Sequence, residues 1–254
     1  MNASIISAKD LAASLDVWTL IDARTAEEFA AGHIPGAIHL CWEQWCDRPP
    51  EIAGPELAQP GYWGVLADPV INAFHKRLEE LGISSSARIV VYADGPRSKG
   101  SDGRIGWMLL YLGAEHVALL DGGWQGWLQI GGTVDFDVVT RRGTFNLSLN
   151  PERRIDFDDI KNRFTHTRLP LMIDTRSFPE FAGVDYDYQP RKGRMPNSVL
   201  LEWLQIFDHE EKYVECDVFL RLLPEAVHTS SDAIFYCEVG VRAAHHPRDP
   251  RITG

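Results

Sequence analysis

Leu20-Ile21-Asp22-Ala23-Arg24 and Met172-Ile173-Asp174-Thr175-Arg176 are two versions of one pattern: apolar residues, an aspartate, a small residue and an arginine. The likeness continues outward from it. Glu28-Phe29 returns at the same offset as Glu180-Phe181. Gly32-His33-Ile34-Pro35-Gly36-Ala37 returns, after an insertion, as Gly193-Arg194-Met195-Pro196-Asn197-Ser198. Trp42 returns as Trp203, and Ile89-Val90-Val91-Tyr92-Ala93 as Ala233-Ile234-Phe235-Tyr236-Cys237. A repeat this long exceeds the stacking units of solenoids, so each copy is expected to be a domain.

Each copy reads as α/β. Trp18-Thr19-Leu20-Ile21 and Ile89-Val90-Val91-Tyr92 are short apolar runs rich in branched residues, the pattern of strands buried on both faces of a parallel sheet. Asn72 to Leu81 carries Phe74, Leu78 and Leu81 on one helical face and stops at Gly82. Gly106 to Leu112 reads as a more buried helix ending at Gly113, His116 to Leu120 as a strand, and Asp121-Gly122-Gly123-Trp124 as a turn into a further segment. Alternating strands and helices predict a parallel sheet covered on both faces. Gly131 to Asn150 has neither period and reads as a linker. The expected division is a first unit over 1–130, a linker over 131–150 and a second unit over 151–254. Trp42 to Trp63, with Pro49-Pro50 and Pro60-Gly61, reads as a long ordered loop near the domain interface.

The chain has 254 residues, room for two domains of ordinary size. Its net charge of −11 argues against nucleic acid and anionic membranes as partners, and an anionic substrate would need cations placed locally. No apolar run approaches membrane-spanning length, and Met1 to Leu20 lacks the basic start and apolar core of a secretory signal. Cys41, Cys46, Cys216 and Cys237 form no CxxC and no metal-like cluster. Free thiols suit a reducing cytoplasm, with a Cys41–Cys46 disulfide as the lesser alternative.

The chemistry concentrates in Tyr236-Cys237-Glu238-Val239-Gly240-Val241-Arg242-Ala243. A thiol at the end of a buried strand, facing a helix start and a cation, is set to become a thiolate, the nucleophilic form. The backbone N–H groups of Glu238, Val239, Gly240 and Val241 can line a concave nest for an anion. Arg242 is always charged and suits an oxyanion. Glu238 works the other way, since a carboxylate beside the thiol raises its pKa and repels anions unless it faces solvent. Taken alone, a cysteine in such a setting is more often a packing residue; the loop and the repeat single Cys237 out. Asp22/Arg24 and Asp174/Arg176 read as structural networks tying a strand end to a neighbouring loop. His245-His246 invites a metal reading, but adjacent residues point apart on regular backbone, and no shared metal is expected.

These motifs resemble the rhodanese family, and the tandem layout is similar to its two-domain thiosulfate and 3-mercaptopyruvate sulfurtransferases. Ile21-Asp22-Ala23-Arg24, Glu28-Phe29, Gly32 to Ala37 and Leu120-Asp121-Gly122-Gly123-Trp124 carry the resemblance in the first unit. Ile173-Asp174-Thr175-Arg176, Phe181 and the Cys237 loop carry it in the second, where Arg194 and Asn197 replace the usual His and Gly. The resemblance implies two α/β/α domains, each with a mainly parallel five-stranded sheet, the first silent and the second bearing the cysteine. Ala93, standing where Cys237 stands, reproduces that division. It also implies a double displacement: Cys237 takes the outer sulfur of thiosulfate, sulfite leaves, and the persulfide passes its sulfur to cyanide or a thiol. No metal or organic cofactor is implied. The Cys-x4-Arg spacing from Cys237 to Arg242 is one residue shorter than in the related phosphatases and arsenate reductases, which favours sulfur over a tetrahedral oxyanion. Arg242, in place of the threonine of the mercaptopyruvate type, tilts the donor from 3-mercaptopyruvate toward thiosulfate. Arg191 and Lys192, with Arg194, form a basic cluster in the segment that runs toward the loop in this family, and are candidates for drawing an anion in.

After Cys237 come only 17 residues, with Pro247 and Pro250 among them. A helix begun near Val241 has little more than one turn before Pro247, and the helix, strand and Asp-Gly-x-Trp turn of the first unit have no twin. The expectation is a second domain shortened after its loop, by truncation in the favoured reading or with a partner chain supplying the missing pieces in the lesser one, with a weak helix dipole and apolar sheet surface left uncovered. Two rivals to catalysis follow: a catalytically impaired rhodanese-like binding module, and a persulfide carrier charged by another protein.

Overall fold

The computed structural model describes residues 3–51, 54–55, 62–166, 170–184, 192–230 and 233–245. The first unit is a parallel sheet of β1 (Ser4–Ile6), β2 (Thr19–Asp22), β3 (Ile38–His39), β4 (Arg88–Tyr92) and β5 (His116–Leu120), in the order β1-β5-β4-β2-β3. Around it lie α1 (Ala8–Ala12), α2 (Ala26–Ala30), α3 (Phe74–Glu80), α4 (Ser101–Leu112) and α5 (Gly123–Gln129). Strand periodicity explains the layering. Ile89 and Val91 of β4 face one core with Phe74 and Leu78 of α3 and Ile105, Met108 and Leu109 of α4. Val90 and Tyr92 face the other with Leu11 of α1, Phe29 of α2 and Trp127 of α5. Each face is thus sealed, as parallel sheets require. The expected helix from Asn72 to Leu81 is α3, and the one placed at Gly106 begins five residues earlier, at Ser101.

The second unit contains α6 (Phe157–His166), β6 (Leu171–Asp174), α7 (Phe178–Ala182), β7 (Ser198–Leu200), α8 (Cys216–Leu222), α9 (Glu225–Thr229) and β8 (Ala233–Tyr236). Its strands run parallel in the order β7-β6-β8. The registers repeat those of the first unit. Asp22 pairs with Tyr92 and Asp174 with Tyr236; Ile21 pairs with Ile38 and Ile173 with Val199. Details repeat as well. Arg24 grips Asp22 and donates to the Gly32 carbonyl at 2.7 Å, while Arg176 grips Asp174 and donates to the Gly193 carbonyl at 2.8 Å. All four side chains are buried, so these pairs tie a strand end to its loop, as expected. His33 stacks on Phe29 at 3.9 Å, and Arg194 lays its guanidinium over Phe181 at 4.3 Å. The replacement of His by Arg therefore keeps a flat cation-capable group on the same aromatic.

The copies diverge after the central strand. β4 is fully buried beyond its first residue, whereas every residue of β8 is half-buried. Among the described residues no strand follows β8, so the second sheet has three strands where the resemblance alone implied five, and a single 3-10 turn (Arg242–His245) stands where a helix of little more than one turn was expected. That turn packs on α4 of the first unit. Between the units lies a cleft of about 970 Å³, lined by Trp63, Arg104, Trp107, Phe235 and Glu238 among others. The Phe157 side chain of α6, also on this cleft, is 75% exposed. One apolar cluster nevertheless runs from α3 and α4 through Leu171, Ile173, Phe219 and Val241, joining the units. The stretch 131–150 has no helix and one isolated bridge, Asp135 to His33. It is tied to the first unit by bonds from Ser85 N to Thr144 O, Ser148 N to Leu112 O and Asn150 N to Tyr111 O.

Candidate active site

Cys237 follows directly on β8, and the loop after it folds back so that the Gly240 N–H donates to Cys237 Sγ at 3.1 Å. Gly240 reaches this geometry at φ +74°, a conformation that costs a residue with a Cβ on the order of 1 kcal/mol or more. In the first unit the matching position is Ala93, fully buried, whose carbonyl is occupied by the Trp124 N–H at 2.7 Å. Cys237 is half-buried where its counterpart is fully buried.

Arg242 lies on the turn that leaves the loop. Its Nη1 and Nη2 donate to the two carboxylate oxygens of Glu180, each at 2.8 Å. Glu180 is already engaged: it closes the capping box of α7, accepting from Ser177 N at 2.9 Å and Ser177 Oγ at 2.7 Å. Burial opposes its ionisation, but the hydrogen bonds from Arg242 and Ser177 prevail and bring it down to about 2. Arg242 is thus presented to the loop as half of an ion pair. Glu238, expected to turn to solvent if harmless, instead keeps its side chain 7% exposed, with Oε2 3.8 Å from Arg242. Burial pushes the Glu238 carboxyl up to about 7, with Arg242 lowering it and Glu180 adding to the rise. Near neutrality the group is close to half protonated.

The first unit supplies the other wall. A Cβ on Gly64 would overlap the backbone carbonyl of Val239, so this glycine is where two backbones touch. Arg104, on α4 and 5% exposed, donates to the Gly64 carbonyl at 2.6 Å and to the Gly240 carbonyl at 3.4 Å. Its Nη2 lies 3.8 Å from Cys46 Sγ, and its guanidinium sits over the Trp107 ring at 4.7 Å. Val241 is buried in the shared apolar cluster.

His245 closes the turn. It is fully buried, hydrogen-bonded to the Tyr213 hydroxyl, and packed against Trp203 and Phe207. Its Nδ1 lies 3.4 Å from Asp102 Oδ1, but this is not an ion pair: burial lowers the imidazole to about 4 and raises the carboxyl to about 7. Among the described residues no group of His, Cys, Asp and Glu could hold a metal, and His246 lies outside them.

Of the residues singled out from sequence, Cys237, Glu238, Val239, Gly240, Val241 and Arg242 lie together in one loop and its exit turn. Lys192 is exposed beside the end of α7, and no described contact joins it to that loop. Arg191 lies outside the described residues, as do Pro60-Gly61 and the stretch from His246 onward that holds Pro247 and Pro250. Cys41, Cys46, Cys216 and Cys237 are all free thiols, so Cys41 and Cys46 do not form a disulfide. Burial and Glu43 push Cys41 up to about 12. Sequence reasoning missed Glu180 as the partner of Arg242, and Gly64, Arg104 and Asp102 as walls of the loop. One signal for Arg104 was available: a charge directly preceding the apolar helical run Ile105 to Leu112 sits where burial is expected and needs a purpose.

The rhodanese-like domain family matches residues 7–130. The 3-mercaptopyruvate sulfurtransferase of Escherichia coli strain K12 is 26% identical over 226 residues, covering 88% of this chain and 75% of that protein. The thiosulfate sulfurtransferase of Pseudomonas aeruginosa is 26% identical over 245 residues, covering 94% of this chain and 84% of that protein. A solved Escherichia coli structure, described by the rhodanese fold of 3-mercaptopyruvate sulfotransferases, superposes with a TM-score of 0.77 at 27% identity over 96% of this chain and 91% of that one.

Proposed function

We propose that this chain, which carries a rhodanese-like domain and is homologous to the 3-mercaptopyruvate and thiosulfate sulfurtransferases, transfers sulfur through a persulfide on Cys237. The observation that carries the proposal is the Gly240 N–H held 3.1 Å from Cys237 Sγ in a loop at a strand end. A donor hydrogen bond of this kind favours the anionic sulfur, first the thiolate and then the terminal sulfur of the persulfide. With thiosulfate, the thiolate attacks the outer sulfur, the S–S bond breaks, and sulfite leaves with its electron pair. Cyanide or a thiolate then attacks the terminal persulfide sulfur, giving thiocyanate or a hydropersulfide and restoring the Cys237 thiolate. Thiosulfate is the donor that Arg242 favours, with 3-mercaptopyruvate as the alternative. Its sulfonate end must displace Glu180 from Arg242, or share it. The four free cysteines support a cytoplasmic setting, where thiols stay reduced.

The engagement of Arg242 by Glu180 favours a second reading, a carrier loaded by another persulfide rather than by a free anion. One experiment separates the two. The folded protein is incubated with thiosulfate, its intact mass is read, and thiocyanate is measured after cyanide. A one-sulfur adduct on Cys237 with turnover supports the enzyme. An adduct without turnover supports the carrier, as does an adduct formed only when a small-molecule persulfide replaces thiosulfate; no adduct from either donor refutes both.

A further inference from the structure

We propose that Arg104, from the unit that lacks a cysteine, is the positioning cation that holds the Cys237 sulfur in its anionic form. The inference rests on the persulfide reading above. Arg104 is buried, yet among the described residues no carboxylate forms an ion pair with it. A buried guanidinium without an anion is costly, so the site is poised to gain one. The Arg104 hydrogen bonds run to the carbonyls of Gly64 and Gly240, which lock the loop but carry no formal charge. The groups whose charge would repay its burial are thiols: Cys46 at 3.8 Å and, through space, Cys237. Burial lowers Arg104, and a negative charge on either sulfur would act to raise it, although at Cys46 burial outweighs the pull of Arg104 and keeps that thiol above its ordinary value.

Geometry adds a second function. Arg104 grips the Gly240 carbonyl, and Gly240 is the residue whose N–H points at Cys237 Sγ. A Cβ at Gly240 would come within 2.9 Å of Arg104 Nη1, so the two fit without spare room. The helix that would ordinarily polarise the loop is a single turn here, too short for a useful dipole. Arg104 supplies the missing positive field from the other unit.

The test is peptide-resolved alkylation of Cys237 by iodoacetamide across about pH 6 to 9, in wild type, Arg104→Met and Arg104→Gln. Gln keeps donors for the carbonyls and removes the charge. In both variants the alkylation profile should move up by about one pH unit, with the rate at neutral pH falling about tenfold. A merely structural role would lower thermal stability and leave the profile in place; an unmoved profile in either folded variant overturns the proposal. A second test needs no change at position 104. In a Cys216→Ser chain, Cys237 is carboxymethylated or carbamidomethylated and the thermal transitions are compared. The anionic adduct should give the higher transition; an equal or lower one overturns the proposal. Neither readout needs persulfide chemistry, so failure of wild type to form a sulfur adduct would refute the transfer reading and leave this one to be judged separately.

Discussion

Arg242 and Glu180 meet through two parallel hydrogen bonds of 2.8 Å each, although 62 residues separate them in sequence. The pair links the exit of the cysteine loop to the capping box of α7. It gives the loop a cation whose charge is already largely answered. Glu180→Gln should release that charge. The KM for thiosulfate should fall several-fold in steady-state thiocyanate assays. The same change weakens the capping box by about 1 kcal/mol, a drop of about 2–4 °C in Tm by calorimetry. Arg242→Met should raise KM at least tenfold, by the loss of a charge-assisted contact. An unchanged KM in both variants would remove Arg242 from substrate binding.

Glu238 makes the site sensitive to pH near neutrality. Its folded value of about 7 lies above the ordinary 4.5. Its favourable contribution to stability is therefore complete below about 4.5 and lost as pH rises through about 7. Ionisation also places a second carboxylate beside Arg242 and the thiol. The kcat/KM for thiosulfate should carry a downward component across pH 6 to 8, on the order of several-fold. Glu238→Gln should abolish that component and make the protein more stable on the alkaline side. A pH–rate series on both proteins decides it.

His245 has the opposite dependence. Its folded value of about 4 lies below the ordinary 6.5, so stability is complete above about 6.5 and is lost as pH falls toward 4. Thermal transitions measured between these limits should decline with acid. His245→Ala should remove the buried ring packed on Trp203 and Phe207, at a cost of about 3 kcal/mol, and lower sulfur transfer with it. Retained activity in a destabilised His245→Ala protein would show that the turn does not support the loop.

Gly64 tests the seam. Alanine there would press its methyl against the Val239 carbonyl, and the backbone of one unit has to yield. Gly64→Ala should keep its circular dichroism and lose at least tenfold in sulfur transfer. Full activity would mean that the seam opens freely.

Much of this was legible in the sequence because it is local. Short continuous apolar runs marked the strands, and Asp22/Arg24 with Asp174/Arg176 marked their ends. The replacement of Cys237 by Ala93 in the first unit was visible by simple superposition of the copies. The capping box Ser177-x-x-Glu180 was also readable, but not that Glu180 would spend its second lone pairs on Arg242. β1 escaped notice because three half-exposed residues carry little pattern. The twin comparison misled in one respect. It placed the support for the loop in missing elements of its own unit, whereas α4 and Gly64 bring that support from across the seam, where His245 meets Asp102 of α4. Contacts between distant segments leave no periodicity to read.

The touching backbones of Gly64 and Val239 make the shape of the cysteine loop a joint product of both halves of the chain. A second half expressed by itself would meet water where Gly64 and Arg104 now stand, and its loop would lose the mould that holds it.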